Sequence, residues 1–425
     1  MTLPPAIGSP CGKIGEAIIQ TQQTSERPAG VGLLFAALQF LLAATWTAYA
    51  LYLPQLLDKA GLGKALVVPL LMLDQAIFAA TDIAASLWID RAARVVGRVG
   101  KWIALLTGVS SLAFLAMPHA ADMGAASQPL LIALILVWTA TSAALRAPPL
   151  ALVKKYAAKP ALPWLAGMSA LGLGLAGIAA PALTAELRDI DPRWPFALAS
   201  LSLFAAAYAA AVMERRLAAA PRAEVAPASR PKIGGGLVLL LATLVGLGLG
   251  AQLHTGLVSP RLFAALASPP DLDRLASLFW IGFTCAAAFA ALAPKTWSVF
   301  AIIGVASLAG AALLGGAALA PVLVALIAAQ LAAGAAWGLI KANILTAALT
   351  FNAGARDALI VGLVFCAEGL AATLRLAMVR SGVAADPAAA FVLVWIAPAL
   401  WALCGAAMLA LARRTSALAR VAEKG

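Results

Sequence analysis

The stretch Gly236-Leu-Val-Leu-Leu-Leu-Ala-Thr-Leu-Val-Gly-Leu-Gly-Leu-Gly250 carries no charge, and neither does Val299–Val322. A helix rises about 1.5 Å per residue, so runs of this kind approach or exceed the roughly 30 Å of a bilayer's hydrocarbon core. A membrane β-strand needs only about 10 residues and alternates polar with apolar side chains. These runs are unbroken and do not alternate, so they read as helical spans.

The rest of the chain agrees. Of its 425 residues, 63% are hydrophobic and 11% charged. Soluble domains average roughly 45–50% apolar and about 25% charged residues, so this apolar excess must face lipid. Apolar runs bounded by charge or by Pro and Gly predict twelve spans. The first six cover 30–53, 66–89, 102–119, 129–152, 162–184 and 194–213. The second six cover 236–258, 274–294, 298–319, 321–347, 357–379 and 388–411. The chain is thus expected to be an all-α membrane protein of about twelve transmembrane helices.

Charge orients the spans. Of thirty Lys and Arg residues, twenty fall on the side of the chain termini, seven on the other side and three within spans. Basic residues accumulate on the cytoplasmic side, so both termini are expected inside, in a cell's inner membrane. The same rule accounts for the net charge of +12 without any nucleic-acid partner. Residues 1–28 have no continuous apolar core and read as a flexible cytoplasmic arm. Residues 413–425 read as a cytoplasmic tail.

The longest charged interruption, Glu214–Lys232, lies at the middle of the chain. It divides a six-helix bundle, 29–213, from a second, 236–412, through a linker at 214–235. Duplication is the natural reading. Superposing Pro54 on Pro260 matches a Leu-x-x-Pro-x-Leu core at an offset of 206 residues. Trp138 precedes Arg146 in span four much as Trp337 precedes Lys341 in span ten.

After span two comes Ser86-Leu-Trp-Ile-Asp90-Arg91-Ala-Ala-Arg94. It resembles the loop signature of the major facilitator superfamily, Gly-x-Leu-Ala-Asp-Arg-x-Gly-Arg, through Asp90, Arg91 and Arg94. Ser86 and Ala93 replace two of its glycines. The resemblance implies two six-helix pseudo-repeats that rock about a central site. It implies that Asp90 packs against the start of span eleven, near Arg356–Leu359, and helps to lock one conformation. It also implies that spans one, four, seven and ten line a cavity which spans two and eleven flank. Span five carries Gly167, Gly172, Gly174, Gly177 and Pro181, read here as close packing through small residues.

Ionisable groups within spans are costly, about 2.5–3.5 kcal/mol each on insertion scales, and mark function. Asp74 and Asp82 lie on span two, Arg146 on span four, His254 on span seven, Lys341 on span ten, and Glu368 and Arg375 on span eleven. Asp82 with Arg146, and Lys341 with Glu368, are candidate pairs. The aromatic residues Trp46, Tyr49, Tyr52 and Trp337 could supply an apolar wall. Cys11, Cys285, Cys366 and Cys404 show no metal-ligand spacing, and His119 and His254 are the only histidines. No metal site and no cofactor is expected, and no surface cluster suggests an enzyme. No GxxxxGK[ST] motif occurs, so ATP hydrolysis by that route is excluded.

The sequence reading is a secondary active transporter working by alternating access. Its expected cargo is a small organic solute with an anionic group, and its expected coupling ion is the proton. Efflux of drugs or metabolites is the rival within transport. A non-transporting sensor or assembly factor is the rival from another class.

Overall fold

In a computed structural model the described residues are 29–92, 99–142, 146, 162–218, 234–292, 297–350, 357–383 and 386–422. They are helical throughout, with no strand among them, and twelve helices are long and apolar enough to cross a membrane. In chain order these are α1 (Ala29–Lys59), α2 (Val67–Ala92), α3 (Val99–Asp122), α4 (Gln128–Ser142), α5 (Leu162–Leu187) and α6 (Arg193–Ala218). The second set is α7 (Gly235–Leu253, continued through Ser259–Leu266), α8 (Leu278–Leu292), α9 (Val299–Ala318), α10 (Leu323–Thr350), α11 (Asp357–Arg380) and α12 (Pro387–Ala422). All twelve lie where the apolar runs place them. The short separations near 295 and 320 do divide α8 from α9 and α9 from α10.

Several helices exceed their expected limits, α1 to Lys59 and α7 to Leu266 among them, and two of them run into regions read as non-helical. α6 runs into the region read as linker, to Ala218, and α12 continues through most of the region read as tail, to Ala422. Hydropathy ends at the first charges, but Ala, Arg and Leu are good helix formers and carry the backbone onward into water. The arm 1–28 and most of the linker fall outside the described residues.

The pairing of helices repeats. In the first six, α3 packs on α4 and α6, α1 on α5 and α6, and α2 on α4. In the second six, α9 packs on α10 and α12, α7 on α11 and α12, and α8 on α10. Each pair maps onto its counterpart by adding six. Two contacts between the halves obey the same rule, because α2 packs on α11 and α5 on α8, and α5 also packs on α10.

With lipid outside, helices gain little by hiding apolar surface from each other. They associate through close packing and hydrogen bonds. Small residues permit the packing. A Cβ built on Gly334 of α10 would lie 1.8 Å from the carbonyl oxygen of Phe279, so α8 and α10 touch backbone to backbone there. Polar residues supply the bonds. Ser111 of α3 and Ser200 of α6 each donate a hydroxyl to the other's carbonyl, at 3.1 and 3.0 Å. The Trp401 indole of α12 donates to the Leu247 carbonyl of α7 at 2.9 Å.

Helix α7 departs from regular geometry at His254–Val258, a π-helical turn. Pro260 has no N–H to offer the Gly256 carbonyl one turn back, which frees the backbone to widen. In α1, Pro54 lies inside the helix at the equivalent place.

Candidate functional site

Between the halves lies a cavity of about 570 Å³. Helices α1, α4, α7 and α10 line it, as the family resemblance implies, and α2, α5, α8 and α11 contribute as well. It is open rather than sealed on every side.

The floor is on the side where α1 begins and α12 ends. There α2 meets α11 so closely that a Cβ on Gly362 would sit 2.9 Å from the Asp82 carbonyl oxygen and 2.5 Å from the Ser86 hydroxyl. Gly167 of α5 similarly abuts the backbone of Ala291 in α8, at 2.8 Å. Beyond this seam, the Asp90 carboxylate accepts hydrogen bonds from the backbone N–H groups of Ala358 (3.2 Å) and Leu359 (3.1 Å). An acidic group there satisfies free N–H donors and meets the positive end of the α11 dipole. The side chain of Arg91, and Arg94 altogether, fall outside the described residues.

Six of the ten residues expected along the solute or proton path border the cavity, through charge or rings on both halves. Lys341 of α10 and Glu368 of α11 form a short ion pair on its wall. Arg146 reaches Asp82 of α2 at 3.6 Å. The Arg146 guanidinium also lies 4.6 Å from the ring centre of Phe78 and 5.2 Å from that of Phe365, so rings from both halves hold it. Such stacking suits a planar, delocalised cation. Arg375 lines the cavity too. Its Nε donates to the Gln252 side chain at 3.1 Å, and a Cβ on Gly256 in the π-turn would be 3.6 Å from an η nitrogen. Among the described residues no carboxylate lies within 4 Å of Arg375.

Trp46 and Trp337 also border the cavity, with Trp138 stacked on Trp46 at 6.1 Å between ring centres. The other expected residues lie behind this wall. Asp82 is fully buried beneath Arg146. Tyr49 and Asp74 are fully buried and bonded to each other. Tyr52 donates to the carbonyls of Leu187 and Ile190 and is a strut within the first half. His254 does not line the cavity but meets the Gln330 side chain of α10 at 3.0 Å.

Several participants escaped the charge-based search. Gln252 and Gln330 are polar residues inside spans and could have been found by widening it to amides. Phe78 and Phe365 carry no such signal, because a phenyl ring in a membrane helix looks the same whether it faces lipid or a guanidinium.

No family model matches the sequence, and no curated protein matches it. Solved structures do. The human organic anion transporter MFSD10 (TETRAN) is similar with a TM-score of 0.66 at 15% identity, over 89% of this chain and 98% of that one. The E. coli fucose:proton symporter FucP is similar with a TM-score of 0.62 at 13% identity, over 90% and 97%. A bacterial homologue of the iron transporter ferroportin, in an outward-facing state, is similar with a TM-score of 0.66 at 14% identity, over 89% and 98%. At such identities the likeness speaks for architecture, and by its whole-length agreement this multi-pass chain has the fold of the major facilitator superfamily.

Proposed function

We propose that the protein is a secondary transporter that moves a small organic anion by alternating access, driven by protons. The observation that carries this reading is Arg375. Its guanidinium borders a cavity at membrane depth with only an amide as side-chain partner among the described residues. The other two cations on the wall, Arg146 and Lys341, are each matched by a carboxylate. An unmatched cation in a low-dielectric site is costly, and a bound anion relieves that cost. The rings of Trp46, Trp138 and Phe78 on the opposite half offer an apolar face for the rest of the solute.

With the termini cytoplasmic, the closed floor seals the inner side, and the cavity is accessible from outside. Rocking of the halves then requires the α2–α11 and α5–α8 seams to part, together with the Asp90 cap on α11. The three structural neighbours are an organic anion transporter, a fucose:proton symporter and a homologue of an iron transporter, which supports transport as the common activity.

The test is uptake into proteoliposomes of radiolabelled organic anions that do not cross lipid unaided, such as benzenesulfonate and a dicarboxylate, with and without an inward proton gradient. Wild type should accumulate at least one, more with the gradient, and Arg375→Gln should abolish accumulation. Transport that survives Arg375→Gln unchanged would refute the assignment, as would failure to move any anion.

A further inference from the structure

Asp74 sits one layer behind the cavity wall and is fully buried. The Tyr49 hydroxyl of α1 donates to one of its carboxyl oxygens at 2.8 Å. The Thr139 hydroxyl of α4 lies 2.7 Å from the other. That hydroxyl is also 2.9 Å from the Ile135 carbonyl, and it has one hydrogen for two acceptors. Among the described residues no cation lies within 4 Å of Asp74. The charged groups of α11, which packs along α2, are Asp357 and Arg380 at its two ends and Glu368 and Arg375 within it, and the latter two line the cavity that Asp74 does not reach. On α2 itself, Asp82 is two turns away and engaged with Arg146.

An ionised carboxylate offers about four acceptor sites. Here only two donors are in reach, and one of them is shared. A neutral carboxyl closes the scheme. Its own O–H donates to Thr139, Thr139 donates to Ile135, and Tyr49 donates to the remaining oxygen. Every hydrogen then has one acceptor, and no uncompensated charge remains at membrane depth. We infer that Asp74 is a proton-binding site, occupied in this conformation, and that it is the seat of the coupling proton. The step is a simple one: a carboxylate gains one proton from water and later returns it on the other side.

The same geometry links the proton to the solute. The Tyr49 ring lies 4.4 Å from Trp138 and 5.4 Å from Trp46, centre to centre, and both indoles face the cavity. A solute pressed on those rings displaces the hydroxyl that holds Asp74. Glu368 is held by Lys341, whereas Asp82 faces Arg146 at 3.6 Å with neither of its buried oxygens in a hydrogen bond, so Asp82→Asn is the comparison that decides between the two aspartates. The coupling role rests on the proton-driven reading above, whereas proton occupancy can be read with no solute present.

Two measurements on the purified full-length protein in lipid test this. The first is the infrared carboxylic-acid C=O stretch at neutral pH, identified by its shift in D₂O. It should be present in wild type, lost in Asp74→Asn and retained in Asp82→Asn and Glu368→Gln. Thr139→Val should move its frequency without removing it, which keeps the test sound if Asp74→Asn folds poorly. Absence of the band in wild type, or its survival in Asp74→Asn, would overturn the inference. The second is tryptophan emission followed against pH. Wild type should show a transition, as pH rises and the proton leaves, that Asp74→Asn lacks and Glu368→Gln keeps. A transition indifferent to Asp74→Asn would break the link to the ring wall. A wild type that moves no anion yet shows the band would defeat only the transport reading.

Discussion

Substituting Gly362 by Ala strikes the seam that closes the floor. The added methyl would meet the Ser86 hydroxyl at 2.5 Å and the Asp82 carbonyl oxygen at 2.9 Å. Ser86 is fully buried, and a backbone carbonyl cannot yield unless α2 moves. Overpacking of this kind costs about 1–3 kcal/mol, and a middle value of about 2 kcal/mol shifts a two-state equilibrium roughly 30-fold. The cost falls on the closed state alone, because the contact exists only while the halves are together there. Cys366 reports on it. Its thiol donates across the seam to the Ala79 carbonyl at 3.2 Å. When opening is fast, its alkylation by a maleimide follows the open population and should rise by about that factor. Cys404, buried between α7 and α12, should stay unreactive, which separates opening of the seam from unfolding. Gly315→Ala is the control, because its nearest contact would be an ordinary 3.7 Å from Trp395. Alkylation of Cys366 at the wild-type rate in Gly362→Ala would refute the reasoning, as would equal acceleration at Cys404.

Three further outcomes follow from the same geometry. Removing the Asp90 cap with Asp90→Ala should weaken the floor by about 1 kcal/mol and speed Cys366 alkylation roughly fivefold. Glu368→Gln strands the Lys341 ammonium, whose side chain is 11% exposed against 25% for Glu368. Breaking a fully buried pair costs about 3–5 kcal/mol, and access to the cavity reduces this to about 2 kcal/mol. Thermal unfolding in detergent should show that loss, and Lys341→Met added to Glu368→Gln should restore most of it. Trp401→Phe deletes the indole bond to Leu247 and should cost about 1–2 kcal/mol of stability, read in the same assay.

The number, order and approximate limits of the helices were legible in the sequence. Lipid demands about twenty apolar residues per crossing, a requirement each span must meet locally and independently of its neighbours. The division into halves was legible through the midpoint charge run, and the repeated helix pairing strengthens it. That Asp82, Lys341 and Glu368 are charges within apolar runs was also visible, because such a charge needs no partner to be noticed. Which charges meet was legible only as options. The pairs Asp82–Arg146 and Lys341–Glu368 were among them, and packing selects them.

Other features lay beyond local reading. Nothing in the order of residues separates Asp74 behind the wall from Arg375 on it. Both are charges in apolar helices, and their surroundings come from residues 25 to 123 positions away, Tyr49, Thr139 and Gln252. Phe78 and Phe365 were invisible as partners of Arg146 for the same reason. Hydropathy is a sum along one helix, whereas burial, cavity and pairing depend on how each helix is rotated against its neighbours. That rotation is set by contacts such as Gly334 on Phe279 and Gly362 on Asp82, where small residues let backbones meet.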